Sequence, residues 1–464
     1  MATTLKSLLG VAVLLAALTA TAQSPATKAH DLGPRSGTGA GGPIDNLTPG
    51  ELKLFNDSQA IFAKTDTVSD DGLGPRMNLD SCSGCHAQPA IGGSGAKPNP
   101  QFQIVKRLSL NNTVPFFITE NGPTREARFP KTATGTPDGG VHDLFTITGA
   151  AGATGCKLAQ PNFEANKKNV IYRIPTPVFG AGLIEQIRDT DILANLAKEA
   201  PAKQRLQIRS KLNIVVSGNT HTQQARIPGQ PNDNGNDGTI ARFGWKAQNK
   251  SLLIFAGEAY NVEMGISNEL FQTEREEDCP NAAVKMPNDG TNTNPGQIDK
   301  PNPPFDVMSD IEHFAAFMRF LAPPKPSDTE PGGAASISKG KALFTQTGCH
   351  LCHTPSLPTD PNSRVAALSG KTAYLYSDLA LHQMGNNLAD GISQGQAVGD
   401  EFRTAPLWGL GQRFFFLHDG RTSDLLVAIQ EHRGVKSEAN GVIKQFDRLS
   451  ETDKQDLLNF LRSL

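Results

Sequence analysis

Cys82-Ser83-Gly84-Cys85-His86 and Cys349-His350-Leu351-Cys352-His353 share one spacing, and that spacing decides how the chain is read. A Cys-x-x-Cys-His run is the attachment site of a c-type haem: two thiols add to the porphyrin vinyl groups and the adjacent imidazole becomes the proximal iron ligand. A single run is compatible with half a zinc site. Two runs point to two covalently attached haems.

The 464 residues are enough for two or three domains, each with its own core. With 46 acidic against 44 basic residues, bulk charge argues against a nucleic-acid partner or an anionic membrane surface, so any partner is recognised locally. The 45 Gly and 32 Pro predict long irregular segments between short helices. Met1–Lys6 carries a positive charge, Ser7–Ala20 is a short apolar run, and Ala20-Thr21-Ala22 offers small residues for cleavage. This series reads as a secretory signal peptide over 1–22, hence export to the periplasm with no membrane span in the mature chain. Four of the six cysteines belong to the motifs, leaving Cys156 and Cys279, for which a disulfide is the economical expectation in an oxidising compartment.

Residues 23–46, rich in Gly, Ser, Thr and Pro, read as a flexible leader, with order beginning near Thr48. Thr48-Pro49-Gly50-Glu51 is a capping box, and Leu52, Phe55, Ala60 and Phe62 mark an apolar stripe on the helix that follows. Further on, Asn213–Ser217 and Ser251–Phe255 read as short strands, Ile227–Gly238 and Pro280–Pro304 as polar loops, and Ile311–Leu321 as a helix. Ser338–Thr347 is a helix running into Cys349, and Ser450 caps a terminal helix bearing Leu457, Leu458, Phe460, Leu461 and Leu464. The expected architecture is mainly α: two cytochrome c-like haem domains, 47–322 with insertions and 335–464, joined by a linker at 323–334. A small β-containing insertion lies between them.

Each motif names a proximal ligand, His86 and His353, and Pro89 and Pro355 follow closely where a backbone carbonyl could fix the imidazole tautomer. The second axial position separates electron transfer from chemistry. Of the remaining histidines, His30 falls in the leader and His350 lies inside a motif. His382, His418, His432 and Met384 are left as candidates for the second haem.

Phe402-Arg403-Thr404-Ala405-Pro406, Phe416-Leu417-His418-Asp419-Gly420-Arg421 and Leu425–His432 resemble the C-terminal haem domain of bacterial dihaem cytochrome c peroxidases and of the dihaem enzyme that matures methylamine dehydrogenase. By that resemblance His432 is the sixth ligand of the electron-transferring haem, with Met384 as the alternative, and His418, Arg403 and Arg421 contact propionates or the space between haems. The chain is more closely similar to a dihaem oxidoreductase family also labelled thiol oxidoreductase or peroxidase. Its blocks here are Gly72-Leu73-Gly74-Pro75, Arg173-Ile174-Pro175-Thr176-Pro177, Arg242-Phe243-Gly244-Trp245-Lys246, Tyr376-Ser377-Asp378-Leu379 and Leu388-Ala389-Asp390. Glu263-Met264-Gly265 resembles the segment supplying the distal glutamate of the peroxidases. That makes Glu263 the catalytic acid/base candidate, with Met264 as an alternative sixth ligand that would close the site.

The expected function is a periplasmic dihaem oxidoreductase whose C-terminal haem exchanges electrons with a peroxidase-like N-terminal haem. Its partners would be a periplasmic electron-transfer protein and peroxide or another small substrate. A purely electron-carrying cytochrome, or an enzyme oxidising a protein or organic substrate, are the competing readings. Trp245 or Trp408 could relay electrons between haems. A calcium ion between the domains is left open.

Overall fold

The computed structural model describes residues 28–37, 39–68, 71–74, 77–107, 114–132, 134–136, 160–214, 239–271 and 308–464. The signal segment 1–22, Cys156 and Cys279, and the loops 227–238 and 280–304 lie outside them.

The described chain is mostly helical, with three small antiparallel ladders. Helix α1 (Pro49–Phe62) begins with the capping box expected from Thr48 and Glu51. Its buried face is Phe55, Ser58 and Phe62, while Leu52 and Ala60 of the anticipated stripe are exposed. Ser58 is buried without cost because its hydroxyl meets His313 Nδ1 at 3.0 Å. The partner helix, α4 (Asp310–Phe320), stacks Phe317 against Phe55 and Phe62 at 5.5 and 4.7 Å. Between them in sequence comes α3 (Leu252–Met264), capped by Ser251 and stopped by Gly265 in a left-handed conformation. Ser251–Phe255 was expected as a strand. The Leu-Leu-Ile-Phe run is apolar because most of α3 is buried, so it shows no helical alternation.

Around the second motif, α5 (Gly333–Thr347) crosses the terminal α8 (Glu451–Ser463). Gly340 permits this crossing: a Cβ there would stand 2.0 Å from the Asp456 carbonyl oxygen. Phe344 then packs on Phe460 at 5.4 Å, and Leu457, Leu458, Phe460, Leu461 and Leu464 are all buried as the sequence pattern requires.

Each helix leading into a motif carries in its last turn a phenylalanine set against the motif's histidine. Phe62 meets the His86 ring at 6.0 Å and Phe344 meets His353 at 6.4 Å. The two cores interleave, however. Leu357, Leu368, Leu375, Leu379 and Trp408 belong to the cluster around the first motif, while Leu206 and Ile208 pack on the cysteines of the second. Nor is β structure confined to a region between the motifs. Strands β1 (Glu126–Arg128) and β2 (Ile171–Arg173) pair there, but β3 (Leu357–Pro358) with β4 (Thr372–Ala373), and β5 (Leu381–Gln383) with β6 (Glu401–Arg403), follow the second motif.

Residues 28–37 and 39–46, expected as a flexible leader, form an ordered strap. Ala29 is buried, Asp31 pairs with Arg462, Arg35 N–H donates to Gly411 O, and Ile44 N–H donates to Phe320 O. Composition favours disorder when a segment can bury little surface of its own. Here Asp31 finds a buried cation far along the chain instead.

Candidate functional site

The first cavity is lined by Cys82, Cys85 and His86 on one side and by the last two turns of α3, including Glu258, Glu263 and Met264, on the other. His86 Nδ1 donates to the Gly93 carbonyl at 2.9 Å. This leaves Nε2 as the nitrogen available to a metal. Among the described residues, His86 is the only imidazole lining the cavity. Glu263 Oε2 accepts from Asn78 Nδ2 at 2.5 Å, and its backbone carbonyl accepts from Asn78 N–H, so Asn78 fixes both ends of that residue. Met264 Sδ stands 4.0 Å from Cys82 Sγ. Burial pushes both motif thiols up: Cys82 is raised further by Asp66 and Asp310, and Cys85 by Glu263. Behind Cys82 lies an acidic group in which Tyr260 Oη donates to Asp310 Oδ2 at 3.0 Å. Burial there holds the Asp66 carboxyl up at about 6, against the opposing pull of Lys64.

The second cavity is lined by Cys349, Cys352 and four imidazoles, His353, His382, His418 and His432. His353 Nδ1 donates to the Tyr376 carbonyl at 3.0 Å, and His432 Nδ1 to the Ala428 carbonyl one turn back at 2.8 Å. Both therefore keep Nε2 for the cavity. Burial, with help from the nearby His432, pushes His353 down to about 4. His382 is spent elsewhere: Nδ1 meets Glu438 at 2.9 Å and Nε2 meets Asp378 at 3.0 Å. His382 is thus removed as an axial candidate, whereas His432 and Met384 both line the cavity.

One wall serves both cavities. Trp245 lines each of them and donates Nε1–H to the Ile174 carbonyl at 3.0 Å. The His418 ring lies 6.3 Å from Trp245 edge-on and stacks on Phe402 at 4.4 Å. Burial holds His418 neutral, pushed down to about 4. Behind this stack Asp390 binds Arg173 at 2.7 Å and Lys246 at 3.0 Å, and the Lys246 ammonium sits 3.8 Å over the Phe402 ring. Burial pushes Lys246 down to about 8.

The structure thus gathers His86 with Glu263 and Met264, and His353 with His432, Met384, His418 and Arg403. Arg421 is not among them: it faces solvent and pairs with Asp419 and Glu431. The tautomer-fixing carbonyls belong to Gly93 and Tyr376, not to Pro89 and Pro355. Trp408 packs against Gly180 in the first core and does not line the first cavity. Arg413 was missed in the sequence. Its Nε and Nη2 are buried in the second cavity without a hydrogen-bond partner, and burial alone pushes it down to about 10. An orphaned guanidinium beside two thiols and an imidazole suits a group bearing carboxylates. Haem, with its propionates, fits that set. Among the described residues no three His, Cys, Asp or Glu side chains converge as a metal site.

Residues 128–464 match the family described as "Di-haem oxidoreductase, putative peroxidase". The chain belongs to that di-haem oxidoreductase family. No curated protein matches it. Among solved structures, this di-haem oxidoreductase is similar to a MauG-like protein associated with microbial copper homeostasis, at 20% identity over 35% of this chain and 59% of that one, with a TM-score of 0.23. It is also similar to hydrazine synthase of Kuenenia stuttgartiensis, at 17% identity over 33% of this chain and 55% of that one, with a TM-score of 0.22. This di-haem oxidoreductase therefore spans little more than half the length of either chain.

Proposed function

We propose that the protein is an exported, periplasmic c-type dihaem oxidoreductase in which a C-terminal electron-transfer haem serves an N-terminal haem of peroxidase type. Cys82 and Cys85 would hold the first haem with His86 beneath it, and Cys349 and Cys352 the second with His353. The unequal lining of the two cavities carries the reading: among the described residues, one imidazole with a hydrogen-bonded carboxylate in the first, and in the second His353 and His432, each with Nδ1 tied to a backbone carbonyl and Nε2 left over. Two imidazole ligands suit a haem that only exchanges electrons. A cavity with a single imidazole and Glu263 suits one that accepts a small ligand. When bound, the haem iron supplies the redox chemistry.

The protein's own contribution at the first site is proton handling. Asn78 holds the Glu263 carboxylate in place, where it can take a proton from bound peroxide and return it to the leaving oxygen. Arg403 and Arg413 would hold the propionates of the second haem. Trp245, touching both cavities, is the side chain through which electrons would pass. The Cys156–Cys279 disulfide is a further element of this exported form.

Absorption and paramagnetic-resonance spectra of the purified, haem-loaded protein test the reading. We expect one high-spin haem reactive with peroxide and one low-spin haem. Two low-spin, ligand-inert haems would establish a simple electron carrier. Glu263→Gln should slow peroxide turnover about 10²-fold while both haems stay attached.

A further inference from the structure

A long open groove of about 1320 Å³ runs along the outside of the second site, between the end of α2 (Asp189–Arg205) and α7 (Asn440–Asp447). Five exposed cations border it, Arg205, Arg209, Lys436, Lys444 and Arg448, and none has a carboxylate partner among the described residues. Among the described residues the one acid on the groove, Glu438, is turned inward, where it accepts from His382 and from the Arg209 backbone N–H. In a chain whose net charge is only −2, this is a local concentration of positive charge. Its floor is thin and apolar: Leu206 and Ile208 pack directly on Cys349, Cys352 and Leu351.

We propose that this groove docks the acidic face of a small one-electron donor protein, which delivers its electron to the second haem. The inference rests on the proposed function, since it needs a haem on Cys349 and Cys352. Cys349 and Cys352, which would hold that haem, share one apolar cluster with Leu206 and Ile208 of the groove floor. In the transfer the donor's metal centre is oxidised by one electron and the haem iron is reduced by one. No bond is made or broken and no proton moves. All five cations are on long exposed side chains: Arg205 and Lys444 on the two helices, Arg209, Lys436 and Arg448 just beyond their ends. That suits a broad acidic protein surface rather than a small anion, which would need a buried, converging cation. Charges so placed act chiefly on encounter, raising association 10- to 10³-fold in low salt.

The test uses the haem-loaded full-length protein in stopped-flow reduction. The probe is a reduced acidic blue-copper protein, and a reduced basic cytochrome c is the control. The expected result is a bimolecular rate with the acidic probe that falls about 10-fold or more as salt shortens the Debye length from about 30 Å to about 8 Å. The basic control should be slower and gain from salt. Lys444→Glu/Arg448→Glu should slow the acidic probe at least about 10-fold in low salt, leaving haem spectra and dithionite reduction unchanged. Should that variant not fold, Lys444→Gln/Arg448→Gln gives a smaller loss in the same direction, and the salt series on the unmodified protein needs no variant. Equal rates and salt slopes for the two probes, or charge variants with unchanged rates, overturn the docking surface alone. A purified chain that carries no haem overturns the function and the docking together.

Discussion

Replacing Asp31 by Ala should destabilise the C-terminal half by about 5 kcal/mol, and the magnitude follows from what the carboxylate touches. Arg462 is almost fully buried, 1% exposed against 4% for Asp31. Asp31 Oδ1 accepts from Arg462 Nε at 2.7 Å and Gly33 N–H at 3.0 Å. Its Oδ2 accepts from Arg462 Nη2 at 2.5 Å and from the Leu425 N–H, at the start of α6 (Leu425–Glu431), at 2.7 Å. Removing one partner of a buried ion pair costs about 3–5 kcal/mol, because the other charge stays buried and unpaired. The lost Leu425 hydrogen bond adds about 1 kcal/mol. Burial raises the Asp31 carboxyl, but Arg462 and the Leu425 and Gly33 N–H groups together hold it below its ordinary value. An acid depressed on folding contributes stability above its unfolded pKa of about 3.9, and loses it as pH falls through the lower folded value. The difference between native and Asp31→Ala should therefore be full at neutral pH and shrink below about pH 4. Urea unfolding followed by near-ultraviolet dichroism reads the loss. Limited proteolysis should show new cleavage within 34–42 in the variant. Asp31→Leu/Arg462→Met should recover much of the stability, since an apolar pair replaces a broken ionic one. A loss below about 1 kcal/mol, the range of exposed ion pairs, with the strap still resistant to protease, would refute the reasoning.

His432→Ala should convert the second haem from low to high spin in the paramagnetic-resonance spectrum; an unchanged low-spin signal would assign Met384 instead. Gly340→Ala places a methyl against the Asp456 carbonyl and should lower the urea midpoint by an amount corresponding to about 1–3 kcal/mol. Arg413→Leu should act with opposite signs on the two forms of the protein. Removing an orphaned buried cation stabilises the haem-free chain, by about 1–3 kcal/mol in urea unfolding, whereas the haem-loaded form loses a propionate partner and melts lower.

The helix caps were legible because each is a local requirement: Thr48 and Ser450 cap through residues three positions on. The apolar face of α8 was legible for the same reason. Helix α3 was not, since full burial erases the alternation that marks a helix. Ser58 was invisible as a core residue because its partner, His313, is 255 positions away. The strap and Arg413 failed on the same ground. Asp31 meets Arg462 across 431 residues, and an arginine before Phe414 carries no local sign that its guanidinium ends in a cavity. His382 looked as eligible as His432 until geometry showed both its nitrogens bound to carboxylates.

The wall built from half-buried Trp245 and the buried His418, Phe402 and Arg173–Asp390–Lys246 group governs how the two centres can be measured. A unit of charge gained in one cavity is felt in the other with little water between to screen it. Reductive titration should then give two steps that describe the molecule as a whole, neither of them owned by one haem, as coupled protons are shared by a pair of acids. A substitution at Trp245 or Asp390 should move both steps at once.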